Sequence, residues 1–483
     1  MHMGNLPRRK GARIYCIGIK GTGMCALVEL LHHGGFQVSG SDRKEAFYTD
    51  PILQALGIPY FESFDPSHLP QDADLIIYSA AYSPETNPEL AEARARGLPL
   101  LKYTDALGAY SAGFDASGIA GVHGKTTATA MAGTLIRGAG LPAQILAGSA
   151  VGAFGGRSTL TLGNTYFVAE TCEYRRHFLS FHPRRIVLTS VESDHQDYYP
   201  TYESIRDAFL EYGRNLPPGG ELIYCADDPG AREVAKLLEQ EAGGKEKRFT
   251  PYGFTASGAF SIQSYDVAHE QALMVLRGFP EPLCLQIPGR HSALNAAGAL
   301  ALTDSLVKAE AGGWQPEQWE GARQSLAAFT GSKRRSEIIG ERGGILFMDD
   351  YGHHPTAVRA TLAGLREFYP QRRLVLSFMA HTYTRTAALL DGFARCFEQA
   401  DITVLHKIYP SARESSSFGI SGETLFAKTK ALQDAVYYVA EPLDAVGLLR
   451  KLLRPGDLFI TMGAGDNWKL GEALFAQACE VGP

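Results

Sequence analysis

Gly121-Val122-His123-Gly124-Lys125-Thr126-Thr127 decides how the rest of this chain is read. It follows a short apolar run, Ser117-Gly118-Ile119-Ala120, and opens a stretch of small residues, Thr127 to Ile136, that reads as a helix. A strand, a glycine turn, Lys-Thr and then a helix form the arrangement that grips a nucleotide triphosphate. The glycines let the backbone curl so that several N–H groups face one anion, and the helix N-terminus adds partial positive charge. In that arrangement Lys125 sits against the β- and γ-phosphates, and the Thr126 hydroxyl holds Mg²⁺. The loop is shorter than the full phosphate-loop pattern, because Ile119 stands where the leading glycine is expected. A glycine-rich turn with a solvated lysine is the plainer alternative. The strand before and the helix after favour phosphate binding.

With 483 residues the chain is too long for a single core, and its length suggests about three domains. The formal charge of −6 and the absence of any long lysine/arginine block give no footprint for a nucleic-acid partner. Arg8-Arg9-Lys10 is a short basic run that reads as a solvated tail. The seven cysteines, Cys16, Cys25, Cys172, Cys225, Cys284, Cys396 and Cys479, are scattered and contain no Cys-x-x-Cys. That usage suits reduced thiols in a cytosolic enzyme rather than a disulfide frame or zinc knuckle. Met1 to Lys10 lacks an apolar signal core, and no run reaches the length of a membrane span. The expected location is the cytoplasm.

Three α/β blocks follow from the alternation of apolar runs, with boundaries expected at 1–112, 113–329 and 330–483. The first starts with the strand Arg13 to Gly18, a glycine turn and a helix from Met24 to His33. The second holds the phosphate loop, strands at Thr165 to Ala169 and Arg185 to Ser190, a helix from Tyr202, and the strand Glu221 to Cys225. Its later part, Ala259 to Ile287, alternates with the two-residue period of an antiparallel sheet. A helix from His291 to Leu306 completes it. The third block alternates strand and helix regularly, including one helix from Thr386 to Gln399 and another from Leu443 to Leu453, and predicts a parallel sheet covered on both faces.

Several turns carry candidate chemistry. Gly18-Ile19-Lys20-Gly21-Thr22-Gly23-Met24 contains a dinucleotide-type glycine pattern, and Asp42 follows at the distance of a ribose-binding acid. NAD and a UDP group satisfy this geometry equally, and a turn needed only for packing remains open. Glu170 ends a predicted strand, and His195 follows the next one in Glu192-Ser193-Asp194-His195-Gln196-Asp197. A carboxylate and an imidazole at that sheet edge suit either a magnesium site or hydrogen-bonded structure, and magnesium prefers oxygen ligands. Asn295, one turn beyond His291, has the donor and acceptor to meet an adenine edge, although close helix packing explains most of that stretch. Lys333-Arg334-Arg335, Asp349-Asp350-Tyr351-Gly352-His353-His354-Pro355, His381-Thr382-Tyr383-Thr384-Arg385 and Gly463-Ala464-Gly465-Asp466-Asn467 are turns where open α/β sheets put ligands, or caps.

Taken in order, these segments resemble the Mur ligase family, and the resemblance covers essentially the whole chain. The His-Gly-Lys-Thr-Thr of the phosphate loop and the Asp-Asp-Tyr-Gly-His-His-Pro turn carry it most specifically. It implies a Rossmann-like UDP-sugar-binding domain, a central phosphate-loop ATPase domain, and a Rossmann-like C-terminal domain that closes over the site. The branch it most resembles uses ATP and Mg²⁺ to join L-alanine to the lactyl carboxylate of UDP-N-acetylmuramate through an acyl phosphate. Carried over by position, Gly121, His123, Gly124, Lys125, Thr126 and Thr127 would cradle the ATP phosphates. Thr126, Glu170 and His195 would hold magnesium. His291 and Asn295 would face adenine and Asp350 the ribose, helped by Arg334 or Arg335. Gly18, Gly21, Thr22, Gly23, Met24, Ser41 and Asp42 would meet the UDP-sugar. Lys125 and His195 would serve catalysis, and His381 and Arg385 would place the incoming amino acid.

Three departures stand out. Glu170-Thr171-Cys172-Glu173-Tyr174-Arg175 replaces a more acidic family segment but keeps Glu170 and Glu173. Ser292 stands where asparagine is usual. Thr382 replaces an arginine of the expected amino-acid clamp. A recycling ligase that attaches a ready-made peptide, an NAD-linked dehydrogenase built on the N-terminal turn, and a non-catalytic ATP-binding regulator are the alternative readings. Charge and hydropathy lead us to expect no nucleic-acid partner and no membrane insertion, and the expected state is a monomer or weak homodimer.

Overall fold

The computed structural model describes residues 6–7, 9–410, 414 and 417–478; Arg8 and Cys479 lie outside the described residues. Among the described residues the strands assemble into three large sheets and one small antiparallel sheet. The first sheet runs, edge to edge, Tyr60–Phe61, Gln37–Ser41, Arg13–Ile17, Leu75–Tyr78 and Leu100–Lys102, all parallel. This is the doubly wound order, which opens a ligand crevice where the strand order reverses. Both faces of its central strands are covered, so they are continuously apolar rather than alternating. The glycine turn and the helix Thr22–His33 sit at that crevice.

The second sheet runs Arg248–Tyr252, Glu221–Cys225, Arg185–Leu188, Asp115–Ala120, Tyr166–Glu170, Ala143–Val151 and Arg157–Thr161. Only the last pairing is antiparallel. The helix Lys125–Gly138 leaves the phosphate loop and is almost entirely buried. Its alanines and threonines let it nestle against the helices Arg290–Ala311 and Pro316–Ala327. The two-residue alternation resolves into the strands Ile262–Ala268, Gln271–Leu276 and Phe279–Leu285.

The third sheet runs Glu337–Arg342, Ile345–Asp350, Asp457–Gly463, Arg373–Met379, Ile402–Leu405 and Val436–Tyr438. It is not purely parallel as the alternation predicts, because Glu337–Arg342 pairs antiparallel with Ile345–Asp350. Gly343 and Gly344 supply two positive φ angles, 58° and 73°, and so close a tight hairpin. The helix expected from Thr386 to Gln399 is instead two short helices, Tyr383–Ala388 and Leu390–Arg395, separated by non-helical Leu389 at φ −116°, ψ 22°. The helix expected over Leu443 to Leu453 begins as a 3-10 turn, Pro442–Ala445, before Val446–Leu452.

The blocks pack tightly. Gly364 on the helix Pro355–Phe368 comes so near Gly289 that a Cβ there would lie 2.5 Å from the Gly289 Cα. No helix among the described residues is long and apolar enough to cross a membrane.

Candidate active site

The strand Asp115–Ala120 lies between Tyr166–Glu170 and Arg185–Leu188, so three carboxyl-terminal strand ends open on one edge. The phosphate loop leaves the central one. Gly121 and Gly124 take φ angles of 141° and 81°, which only glycine adopts without strain. The next strand's exit pins the loop. Val122 N–H donates to Ser190 O at 3.0 Å, His123 N–H to Ser190 Oγ at 2.8 Å, and the Thr189 hydroxyl to His123 O. Asn295 presses its amide against Gly124, where any Cβ would strike it. Gly124→Ala is therefore expected to weaken ATP binding by about tenfold or more, since a non-glycine residue in that region costs ~1–2 kcal/mol before the collision is counted. Nucleotide titration calorimetry on the folded variant checks it.

Lys125 begins an unbroken chain of polar contacts. Its Nζ lies 2.9 Å from Glu173 Oε2 and also donates to the Gly121 and Val122 carbonyls. Glu173 Oε1 lies 3.4 Å from His195 Nε2. The His195 backbone N–H donates to Asp194 Oδ1 at 2.7 Å, and Arg385 reaches that same oxygen from the third block at 2.8 Å and 2.7 Å. Burial opposes the charge on Glu173 but is outweighed by Lys125 and His195, which hold its carboxyl below the ordinary range. Asp194 is likewise held far below that range, burial notwithstanding, chiefly by Arg385. Lys125 stays protonated because Glu173, Cys172 and Glu170 outweigh its burial.

Thr126 Oγ1 donates to Glu170 Oε2 at 2.8 Å, and the Glu170 carboxylate occupies the space a Cβ on Gly148 would need. Lys125, Thr126 and Glu170 are thus gathered at one place, with Thr127 beside them in the helix's first turn. His195 joins them through Glu173 rather than through Glu170.

From the third block, strands ending at Asp350, Met379 and Gly463 lie side by side and aim their turns at the same edge. Asp350 is buried, and its carboxylate accepts from Ser336 N–H at 2.7 Å and Gly352 N–H at 2.6 Å, the geometry of a turn cap. Burial raises its pKa. Arg334 bonds Asp349 at 2.9 Å and the Gly463 carbonyl at 2.7 Å, while Arg335 stacks on Tyr351. Both arginines therefore bind the hinge to the third sheet. His381 has a buried Nδ1 without a hydrogen-bond partner, and burial, then Arg385, pushes its pKa down to about 4. Arg385 is committed on one side to Asp194 and to His381 O, the latter at 2.6 Å. Thr382 caps its helix by accepting from Arg385 N–H at 3.3 Å. His291 sits at the start of the helix Arg290–Ala311, and desolvation pushes its pKa to about 4.

The N-terminal crevice forms a separate region. Gly18, at φ 86°, leaves no room for a side chain beside Ser79 and Tyr82, and Gly23 meets the Tyr103 ring. Gly21 and Thr22 start the helix. Asp42 accepts from Lys20 N–H at 2.7 Å and Arg43 N–H at 2.8 Å, so it also braces the turn. Met24 is core, and the Ser41 hydroxyl bonds buried Glu89, so these two offer a ligand only backbone.

Glu173 and Asp194 enter the site by geometry, although no individual role for either follows from the sequence. Glu173 had a signal in the retained Glu170-x-x-Glu173 spacing. The pairing of Asp194 with Arg385 spans 191 residues and had none.

Residues 13–115 match the Mur ligase family catalytic domain, 119–303 the Mur ligase middle domain, and 334–465 the Mur ligase glutamate ligase domain. The chain is 51% identical over 476 residues to the UDP-N-acetylmuramate–L-alanine ligase of Treponema pallidum strain Nichols, covering 98% of each. It is 37% identical over 468 residues to the UDP-N-acetylmuramate–L-alanine ligase of Borreliella afzelii strain PKo, covering 95% of this chain and 98% of the relative. The fold is that of the UDP-N-acetylmuramate–alanine ligase crystal structure from Thermotoga maritima, with TM-score 0.76, 23% identity, and 97% and 99% coverage.

Proposed function

The chain belongs to the Mur ligase family, and from that premise we propose that it joins L-alanine to the lactyl carboxylate of UDP-N-acetylmuramate, using ATP, in peptidoglycan precursor synthesis. The observation that carries the reading is the chain of polar contacts from Lys125 through Glu173, His195 and Asp194 to Arg385, which ties the triphosphate loop to the neighbouring block's turn. A carboxylate resists amines because its oxygen is a poor leaving group. A carboxylate oxygen attacks the γ-phosphorus, ADP departs, and an acyl phosphate results. The alanine amine then attacks the carbonyl carbon, and the tetrahedral intermediate expels phosphate. Such a site works by positioning and charge neutralisation.

Lys125 and the N–H groups of residues 124–127 hold the β- and γ-phosphates, with triphosphate and Glu173 sharing the ammonium. The oxygen donors of Thr126 and Glu170, already 2.8 Å apart, suit magnesium, and His195, which contacts Glu173, would be the further ligand. Bound there, Mg²⁺ would neutralise phosphate charge. Asn295 and His291 border the adenine, Asp350 with Arg334 and Arg335 shapes the ribose end, and Asp42 with the Gly18–Met24 turn receives the UDP-sugar. Arg385 retains N–H donors beyond those given to Asp194 and His381 O, and these meet the alanine carboxylate beside His381. We assign domain boundaries near 112/113 and 329/330, and the protein to the cytoplasm as a monomer or weak homodimer.

The test is phosphate release with UDP-N-acetylmuramate, ATP, Mg²⁺ and each amino acid in turn. Release should require all components and be fastest with L-alanine. Phosphate release indifferent to the amino acid, or preference for a tripeptide over L-alanine, would overturn it. Thr382→Arg is expected to lower the KM for L-alanine by about tenfold, the worth of one charge-assisted hydrogen bond. Loss of the helix cap should cost ~1 kcal/mol of stability. Initial-rate kinetics and thermal melts read the two effects separately.

A further inference from the structure

Beside the phosphate loop, three side chains from distant segments converge: His123 in the loop, Glu192 after the strand Arg185–Leu188, and His354 at the start of the helix Pro355–Phe368. We propose that they form a binding site for a borderline transition-metal ion, Zn²⁺ foremost, which fastens the central domain to the C-terminal one. The candidate donor atoms all lie within 4.8 Å of one another. Glu192 is ion-paired with His123 Nε2, its Oε1 lies 3.8 Å from His354 Nδ1, and the two imidazole centroids are 5.0 Å apart. Bonds of about 2.0–2.1 Å in a tetrahedron put donors roughly 3.4 Å apart, so small side-chain rotations complete the site.

A second observation points to a ligand. The His354 side chain is only 5% exposed, yet its Nε2 has no hydrogen-bond partner. A buried polar nitrogen left alone is costly, and metal binding at one ring nitrogen with the ring reoriented answers that cost. Two imidazoles and one carboxylate suit Zn²⁺ rather than magnesium, which prefers oxygen donors alone. Glu192 and His354 also line a cleft of about 440 Å³ with Tyr202, Thr356 and Arg359, which leaves room for water or an exchangeable anion at the fourth position. This site is distinct in its residues from Thr126, Glu170 and His195. Because one ligand belongs to the triphosphate loop, occupancy would restrain that loop and hold the domains together.

The test uses full-length protein stripped with chelator and titrated with Zn²⁺ against a chromophoric competitor in excess Mg²⁺. One equivalent should be retained by the wild type and by Glu170→Gln. It should be weakened roughly 100-fold or more in His354→Asn and Glu192→Gln, at least the upper end of what loss of supporting groups around a metal costs. Failure of the wild type to retain Zn²⁺, or folded variants that bind as the wild type does, would overturn the proposal. If either variant fails to fold by circular dichroism, Co²⁺ loading of the wild type decides. Visible d–d bands of a nitrogen/oxygen site support it, whereas intense near-ultraviolet thiolate charge-transfer bands assign the ion to cysteine and overturn it.

Discussion

Lys125→Ala is expected to lower single-turnover ligation by roughly 10²–10³-fold or more, the usual cost of removing one preorganised group that stabilises transferring charge. The same substitution should also destabilise the protein, for a reason unrelated to catalysis. Glu173 is 3% exposed at its side chain and 2.9 Å from Lys125. Removing the ammonium leaves a buried carboxylate with His195, 3.4 Å away, as its remaining close side-chain partner. Breaking a buried pair from one side costs about 3–5 kcal/mol, whereas replacing both partners is often close to neutral. The double variant Lys125→Met/Glu173→Gln should therefore recover most of the lost thermal stability without recovering activity. Thermal melts and rapid-quench single-turnover rates on all three proteins check this. Recovery of both properties together would mean that Lys125 acts only as the structural partner of Glu173.

Asp194→Ala should act at a distance. Arg385 is 5% exposed and makes two contacts to one Asp194 oxygen, so the substitution strands a buried guanidinium between domains. A loss of about 3–5 kcal/mol is expected from the domain contact, read as a larger radius of gyration in small-angle scattering. Acid should do the same in two stages. The ordinary histidine value is 6.5, and burial depresses His354 to about 4, with Glu192 opposing and His123 assisting. The folded imidazole stays neutral while the released one gains a proton. The stabilisation is complete above about pH 6.5 and is lost as pH falls towards about 4. Asp194 also has a depressed folded value, below the ordinary 3.8. Its contribution is full above that value and declines only below about pH 4. Scattering and melting curves across this range should show opening begin near pH 6. Asp194→Asn should remove the lower stage and leave the upper one. An unchanged profile would contradict the account.

The parts legible in the sequence were those that chemistry forces to be contiguous. A phosphate needs several adjacent N–H groups, so Gly121 to Thr127 had to appear as one string. Strands buried on both faces have to be apolar runs, which is why Glu221–Cys225 is found with its expected ends. What the chain hid was tertiary. Nothing local marks Asp194 as the partner of Arg385. Nothing local shows that Asp350 and Asp42 also accept from the distant N–H groups of Ser336 and Lys20. The break at Leu389 was also invisible, because leucine favours helix and only packing sets its φ and ψ. Gly343-Gly344 is different: two adjacent glycines before an apolar run are a local hairpin signal, and the regular α/β alternation does not contain it.

The central claim is that ATP activates the lactyl carboxylate by phosphorylating it. Its most direct test is ligation with UDP-N-acetylmuramate carrying ¹⁸O in that carboxylate, followed by mass analysis of the phosphate released. The account predicts that each phosphate carries one carboxylate oxygen, transferred when the alanine amine displaces it. Phosphate free of label, formed alongside the ligated product, would contradict the account.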